Sequence, residues 1–140
     1  PWFWGIGIGF RLGAEIPVVK DGFISSINDS FAIEPAFYLA YSNYYGSNFY
    51  NDDVNLMQYT IAVAGVWNFH LKPNLTVYGA LSLGVVIRDW TNIDDRYWND
   101  NKAAAFIELA PGVKWKFHEK IALRAELGWY GPRAGIAVDL

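Results

Sequence analysis

An all-β barrel turned inside out is the fold this chain predicts, and three observations predict it. Segment after segment alternates with a period of two, the signature of a strand whose side chains point to opposite faces. In each segment one face is apolar throughout, while the other is small, polar and charged. The connections between segments alternate between short and long. A strand with grease on one face only, repeated around a ring, places polarity in the lumen and apolar side chains outside, toward lipid.

The first segment sets Trp2, Trp4, Ile6, Ile8, Phe10, Leu12, Ala14 and Ile16 against Phe3, Gly5, Gly7, Gly9, Arg11, Gly13 and Glu15. The second runs from about Phe31 to Tyr41, with Phe31, Ile33, Pro35, Phe37, Leu39 and Tyr41 opposite Ala32, Glu34, Ala36, Tyr38, Ala40 and Ser42. The third has Met57, Tyr59, Ile61, Val63, Gly65, Trp67, Phe69 and Leu71 opposite Gln58, Thr60, Ala62, Ala64, Val66, Asn68 and His70. The fourth, Leu75 to Ile87, is the cleanest: Leu, Val, Gly, Leu, Leu, Val and Ile fall on one face. The fifth spans Ala103 to His118, and the sixth starts at Ile121. At Gly131–Pro132 the parity flips, which marks a tight turn into a short seventh strand.

Two connections, Lys72–Pro73–Asn74 and His118–Glu119–Lys120, are short. Asn43 to Asn55 and Asp89 to Lys102 are long and rich in Asn, Asp, Tyr and Gly. Outer-membrane barrels have short periplasmic turns and long external loops, so this asymmetry orients the chain. Val18 to Ser30 is then an unusually long periplasmic connection. Trp67, Phe69, Trp115 and Phe117 precede short turns and face outward, forming a lower aromatic girdle; Trp2, Trp4, Tyr41, Tyr59 and Trp129 form an upper one.

Composition agrees. Residues 1–140 suit one transmembrane β-barrel domain. The chain is 53% hydrophobic, yet it holds no run of about 18 uncharged apolar residues that would make a transmembrane helix. Cysteine is absent, which excludes disulfides and thiolate metal sites. The net charge of −3 argues against nucleic acid as a partner. The start at Pro1 without Met reads as a mature or trimmed chain. A soluble barrel around a ligand is the competing fold, but its outer face should be dense in Lys and Glu, and neither face here is.

The inward faces carry Arg11, Arg88, Lys114, Lys116, Arg124 and Arg133, with Glu15, Glu34, Glu108, Glu126 and Asp139. Buried charges must be paired, and this set nearly cancels. With Tyr38, Tyr78, Phe106 and Tyr130 it should fill the lumen of a barrel of about eight strands, leaving no open pore. The external acids Asp52, Asp53, Asp89, Asp94, Asp95 and Asp100 match no calcium-loop spacing and read as solvated loops. No metal site, cofactor or catalytic residue is assigned, and no enzyme is expected. The outlying alternative is a lipid-modifying hydrolase, drawing on His70 or His118 with Ser82, or on Ser25, Ser26 and Ser30 beside Asp29.

The last eight residues, Arg133 to Leu140, resemble the outer-membrane β-signal, with Arg133, Gly135, Val138 and Leu140 at its four defined places. The terminal Leu departs from the commoner Phe. The resemblance implies the barrel assembly machinery as a partner. In pattern, nearly the whole chain resembles the small OmpA/OmpX-type outer-membrane proteins of Gram-negative bacteria, which implies a structural or interaction role in contact with membrane lipids and lipopolysaccharide. Seven strands conflict with the even number of bacterial single-chain barrels. An incompletely paired seam would leave backbone groups unsatisfied in lipid. A homo-oligomer, conceivably a ring, would cover it, with outward Gly65, Gly79, Ala103 and Ala105 as the expected contact.

Overall fold

The computed structural model describes residues 4–24, 26–45, 54–91, 103–129 and 131–140. They form seven strands: β1 (Trp4–Val19), β2 (Asp29–Tyr45), β3 (Val54–Lys72), β4 (Leu75–Thr91), β5 (Ala103–His118), β6 (Ile121–Gly128) and β7 (Gly131–Asp139). Consecutive strands pair antiparallel, and the ring closes in the order β1 to β7. Trp2 and the tips of both long loops lie outside the described residues, as do the side chains of Trp4 and Tyr130.

An odd number of up-and-down strands leaves the first and last running the same way. The ring therefore closes through a parallel pair, from Gly9↔Arg133 to Glu15↔Asp139. The seam thus carries its own ladder over Gly9–Glu15, and it is incompletely paired above that, as expected: among the described residues β1 before Gly9 has no partner on the β7 side. The parity flip is the predicted turn, with β6 and β7 paired out to Gly128↔Gly131. Gly131 has a φ of 111°, where L side chains are strained, and a Cβ on it would stand 2.6 Å from the Gly7 carbonyl oxygen.

Exposure follows the sequence parity. Ile61 is 71% exposed, whereas its neighbours Ala62 and Ala64 are buried. The outward row continues through Ile8, Leu83, Ile107 and Leu127, all well exposed, as a lipid-facing surface requires. Inside, Ala36, Tyr38, Ala62, Val86 and Phe106 pack in one layer, and Ala64, Val66, Tyr78 and Ala80 in another.

Prolines mark where the ladder yields. The β1–β2 pairing lapses between Gly13↔Ala36 and Ile16↔Ile33, at Pro35, which has no N–H to give. On β5 the pairing to β6 begins at Gly112, just past Pro111. Because β6 and β7 are short, Ala103–Pro111 has a strand partner only on the β4 side among the described residues.

The connection between β1 and β2 is tied down by Asp29. Its carboxylate accepts from the Trp67 indole N–H at 2.7 Å and from the Phe23 backbone N–H at 3.2 Å. Gly22, at φ 71°, passes against it. Phe23 in turn stacks against Phe31 (5.9 Å between centroids) and Trp67 (6.2 Å). The loop thus packs at the short-turn end, where Trp67–Phe69 and Trp115–Phe117 make outward aromatic pairs at 5.1 and 6.3 Å. At the opposite end Tyr41, Tyr59 and Trp129 are exposed, and the Tyr41 hydroxyl donates to Asn55.

Candidate functional site: a charged lumen and its vestibule

Alternation puts every second residue inside, so long strands from several parts of the chain aim their few charged residues at one narrow axis. The result is a single alternating series of cations and carboxylates. Lys114 Nζ meets Glu15 Oε1 at 2.5 Å, and Arg124 Nη2 reaches the same oxygen at 2.8 Å. Arg124 then holds both oxygens of Glu34, each at 2.9 Å. Arg11 Nε donates to Glu34 at 3.0 Å and its Nη1 to Glu126 at 2.9 Å. Arg133 lies 2.9 Å from Glu126 and 2.5 Å from Glu108. The series thus runs Lys114, Glu15, Arg124, Glu34, Arg11, Glu126, Arg133, Glu108, and all eight residues are buried.

Aromatic rings line it. The Arg11 and Arg133 guanidiniums each lie 4.8 Å from the Tyr38 ring centroid, while Lys114 and Arg124 lie 5.2 Å from that of Tyr78. The Tyr78 hydroxyl donates to Glu126 at 2.7 Å, and the Trp129 backbone N–H donates to Glu108 at 2.8 Å. Tyr38 and Ser82 join their hydroxyls at 2.6 Å. Gly128 leaves the room this needs, since a Cβ there would stand 2.6 Å from the Arg133 guanidinium carbon. Three guanidinium nitrogens, Arg11 Nη2, Arg124 Nε and Arg133 Nε, have no hydrogen-bond partner among the described residues. Glu126 Oε1 is close to Arg133 without hydrogen-bond alignment.

Of the charges predicted to face inward, Lys116 and Asp139 pair with each other at 2.5 Å, partly exposed at the short-turn mouth and apart from the buried series. Arg88 sits higher on β4, half-buried, opposite Gln58. Lys114 and Arg124 are register partners, and both turn to Glu15 across the lumen. Gly65 and Gly79 do not gather with Ala103 and Ala105. Gly79 pairs with Pro111, whereas Ala105 and Ala103 pair with Val85 and Ile87, farther up β4. The gap over Gly65 is closed by Phe31, whose ring edge would touch an added Cβ at 3.0 Å.

Below the series, toward the short turns, the lumen opens into a cavity of about 190 Å³. Glu15, Asn68, Lys114, Lys116 and Asp139 line one part of it, and Ser30, His70 and Thr76 another. Here three strands are joined through one ring: Ser30 Oγ lies 2.8 Å from His70 Nε2, and Thr76 Oγ1 lies 3.0 Å from His70 Nδ1. Sequence reasoning noticed Ser30 and His70 separately but had no signal that they meet, since 40 residues part them. Asp29 does not complete a triad with them, because its carboxylate is occupied by Trp67 and the loop backbone. Ser82 is buried against Tyr38, away from both histidines.

A family model described as outer membrane protein beta-barrel domain matches residues 2–130. No curated protein matches the chain, and no solved structure does.

Proposed function

Because the chain belongs to the outer membrane protein β-barrel family and lies in the bacterial outer membrane, we propose that it is a structural barrel with a plugged lumen. It stabilises the membrane and carries the long loops at the cell surface, rather than conducting solutes. The observation that carries this reading is the buried eight-member charge series across the lumen. A path for ions would have to break several desolvated pairs, and breaking even one by removing a partner costs about 3–5 kcal/mol. Small barrels also leave an interior just wide enough for side chains to fill.

Its partners are membrane lipids and lipopolysaccharide around the girdles, and the barrel assembly machinery at the Arg133–Leu140 signal. The β1–β7 ladder narrows the open edge to Ala103–Pro111 of β5 and the start of β1 among the described residues, and a second copy could cover it. Self-association is also supported by Gly79, over which an added Cβ would meet nothing within 4 Å among the described residues, leaving room for close approach on the outer wall. Native mass in mild detergent decides that point, and a monomer overturns self-association.

The test of the plug is conductance. The refolded chain in a planar bilayer should give no discrete channels, while a variant losing both Arg11 and Arg124 should leak. Steady channels from the unaltered chain would overturn the reading.

A further inference from the structure

We propose that Ser30 is a serine nucleophile, activated by His70 for transfer of short acyl groups in the cavity at the short-turn end. This goes beyond the structural role above and does not depend on the lumen being plugged. Three observations carry it. Ser30 Oγ and His70 Nε2 are at 2.8 Å, within reach for proton transfer. The other ring nitrogen is engaged by Thr76 Oγ1 at 3.0 Å. With Nδ1–H donated to Thr76, the Nε2 lone pair is left facing Ser30, which is the tautomer a general base needs. His70 is further held by its backbone N–H, which donates to the Asn28 carbonyl at 2.9 Å.

The cavity supplies the rest. Its 190 Å³ takes a short acyl ester but not a lipid. Lys114 and Lys116 line it, each held by a carboxylate of the same cavity, Glu15 and Asp139, so its charged part is polar and balanced. Asn68 is buried, lines the same space and donates its amide N–H to Glu15 at 3.3 Å.

The chemistry balances without a cofactor. Ser30 Oγ adds to the acyl carbonyl carbon as its proton passes to His70 Nε2. The tetrahedral adduct collapses, the bond to the leaving alkoxide breaks, and His70 returns the proton to it. Water then attacks the acyl-serine ester, giving its proton to His70. Collapse releases the carboxylic acid as Ser30 Oγ takes the proton back. Thr76 is a positioning residue: it holds the ring but does not touch substrate.

The experiment uses the full chain refolded in detergent micelles, with folding verified by heat-modifiable gel mobility. A small fluorophosphonate is added and the adduct is mapped by mass spectrometry, with p-nitrophenyl acetate hydrolysis measured alongside. We expect one adduct, on Ser30, absent in Ser30→Ala and slowed at least tenfold in His70→Gln. Ser82→Ala should leave the rate unchanged. Thr76→Val should slow labelling several-fold and move the midpoint of its pH profile. No adduct on the folded unaltered chain overturns the proposal. So does labelling that is indifferent to His70, which would leave the three side chains as a tie between strands.

Discussion

Arg124 of β6 and Glu34 of β2 meet across the lumen in a bidentate pair, two N–H···O bonds of 2.9 Å between residues 90 positions apart. Neither strand is a neighbour of the other in the ring. The pair therefore braces the barrel across its width, where the backbone ladder cannot.

Removing one side of that brace should be severe. Arg124→Met leaves Glu34 and Glu15 each short of a buried cation. The loss should be about 3–5 kcal/mol, the range for breaking a buried pair one-sidedly. Urea unfolding in micelles measures it. A loss below about 1 kcal/mol would mean water already supports these carboxylates.

The two lysines of β5 make an internal control. Lys114→Met strips a buried partner from Glu15 and should destabilise strongly, in the same range as Arg124→Met. Lys116→Ala removes a partly exposed pair with Asp139. It should change stability by about 0–1 kcal/mol and lose even that in high salt. Equal effects from both variants would contradict the burial difference between them.

Trp67 lies on the outer face and also ties down a loop. Its indole N–H donates to the Asp29 carboxylate at 2.7 Å. Trp67→Phe keeps an outward aromatic ring but loses this bond, at about 1.5–3 kcal/mol for a hydrogen bond to a charged group. Amide exchange in residues 20–28 should then speed up, because Asp29 also gathers that loop. Unchanged exchange would show that the loop is held without it.

Gly131 should resist substitution. Its φ of 111° and the Gly7 carbonyl beneath it leave no place for a side chain. Gly131→Val should cost about 1–3 kcal/mol in strain alone and lower the heat-modifiable fraction on a gel. Equal refolding yields would mean that the β6–β7 turn relaxes freely.

Much of this was legible in the linear chain. The faces of all seven strands follow from alternation, because successive side chains must point oppositely whatever the strand pairs with. So does the turn at Gly131–Pro132, where the parity flips. The pairing within the lumen was not. Lys114 and Arg124 are adjacent in register yet share Glu15, and the register of a flat list gives no view across a ring. The Ser30–His70 contact was hidden for the same reason, since it depends on how β2 aligns with β3 at the mouth. The parallel closure of β1 on β7 was hidden too, because strand parity says nothing of how the two ends of a ring meet.

By itself the sequence determined an inside-out barrel: which residues face lipid, which face the lumen, and that the lumen's charges nearly balance. These are local consequences of a two-residue period and of the cost of placing charge in lipid. The tertiary structure alone decided that β1 and β7 close the ring in parallel, that four cations and four carboxylates form one series, and that a serine meets a histidine beside a cavity. Those relationships depend on strand number, tilt and stagger taken together, which are properties of the closed ring and of no single segment.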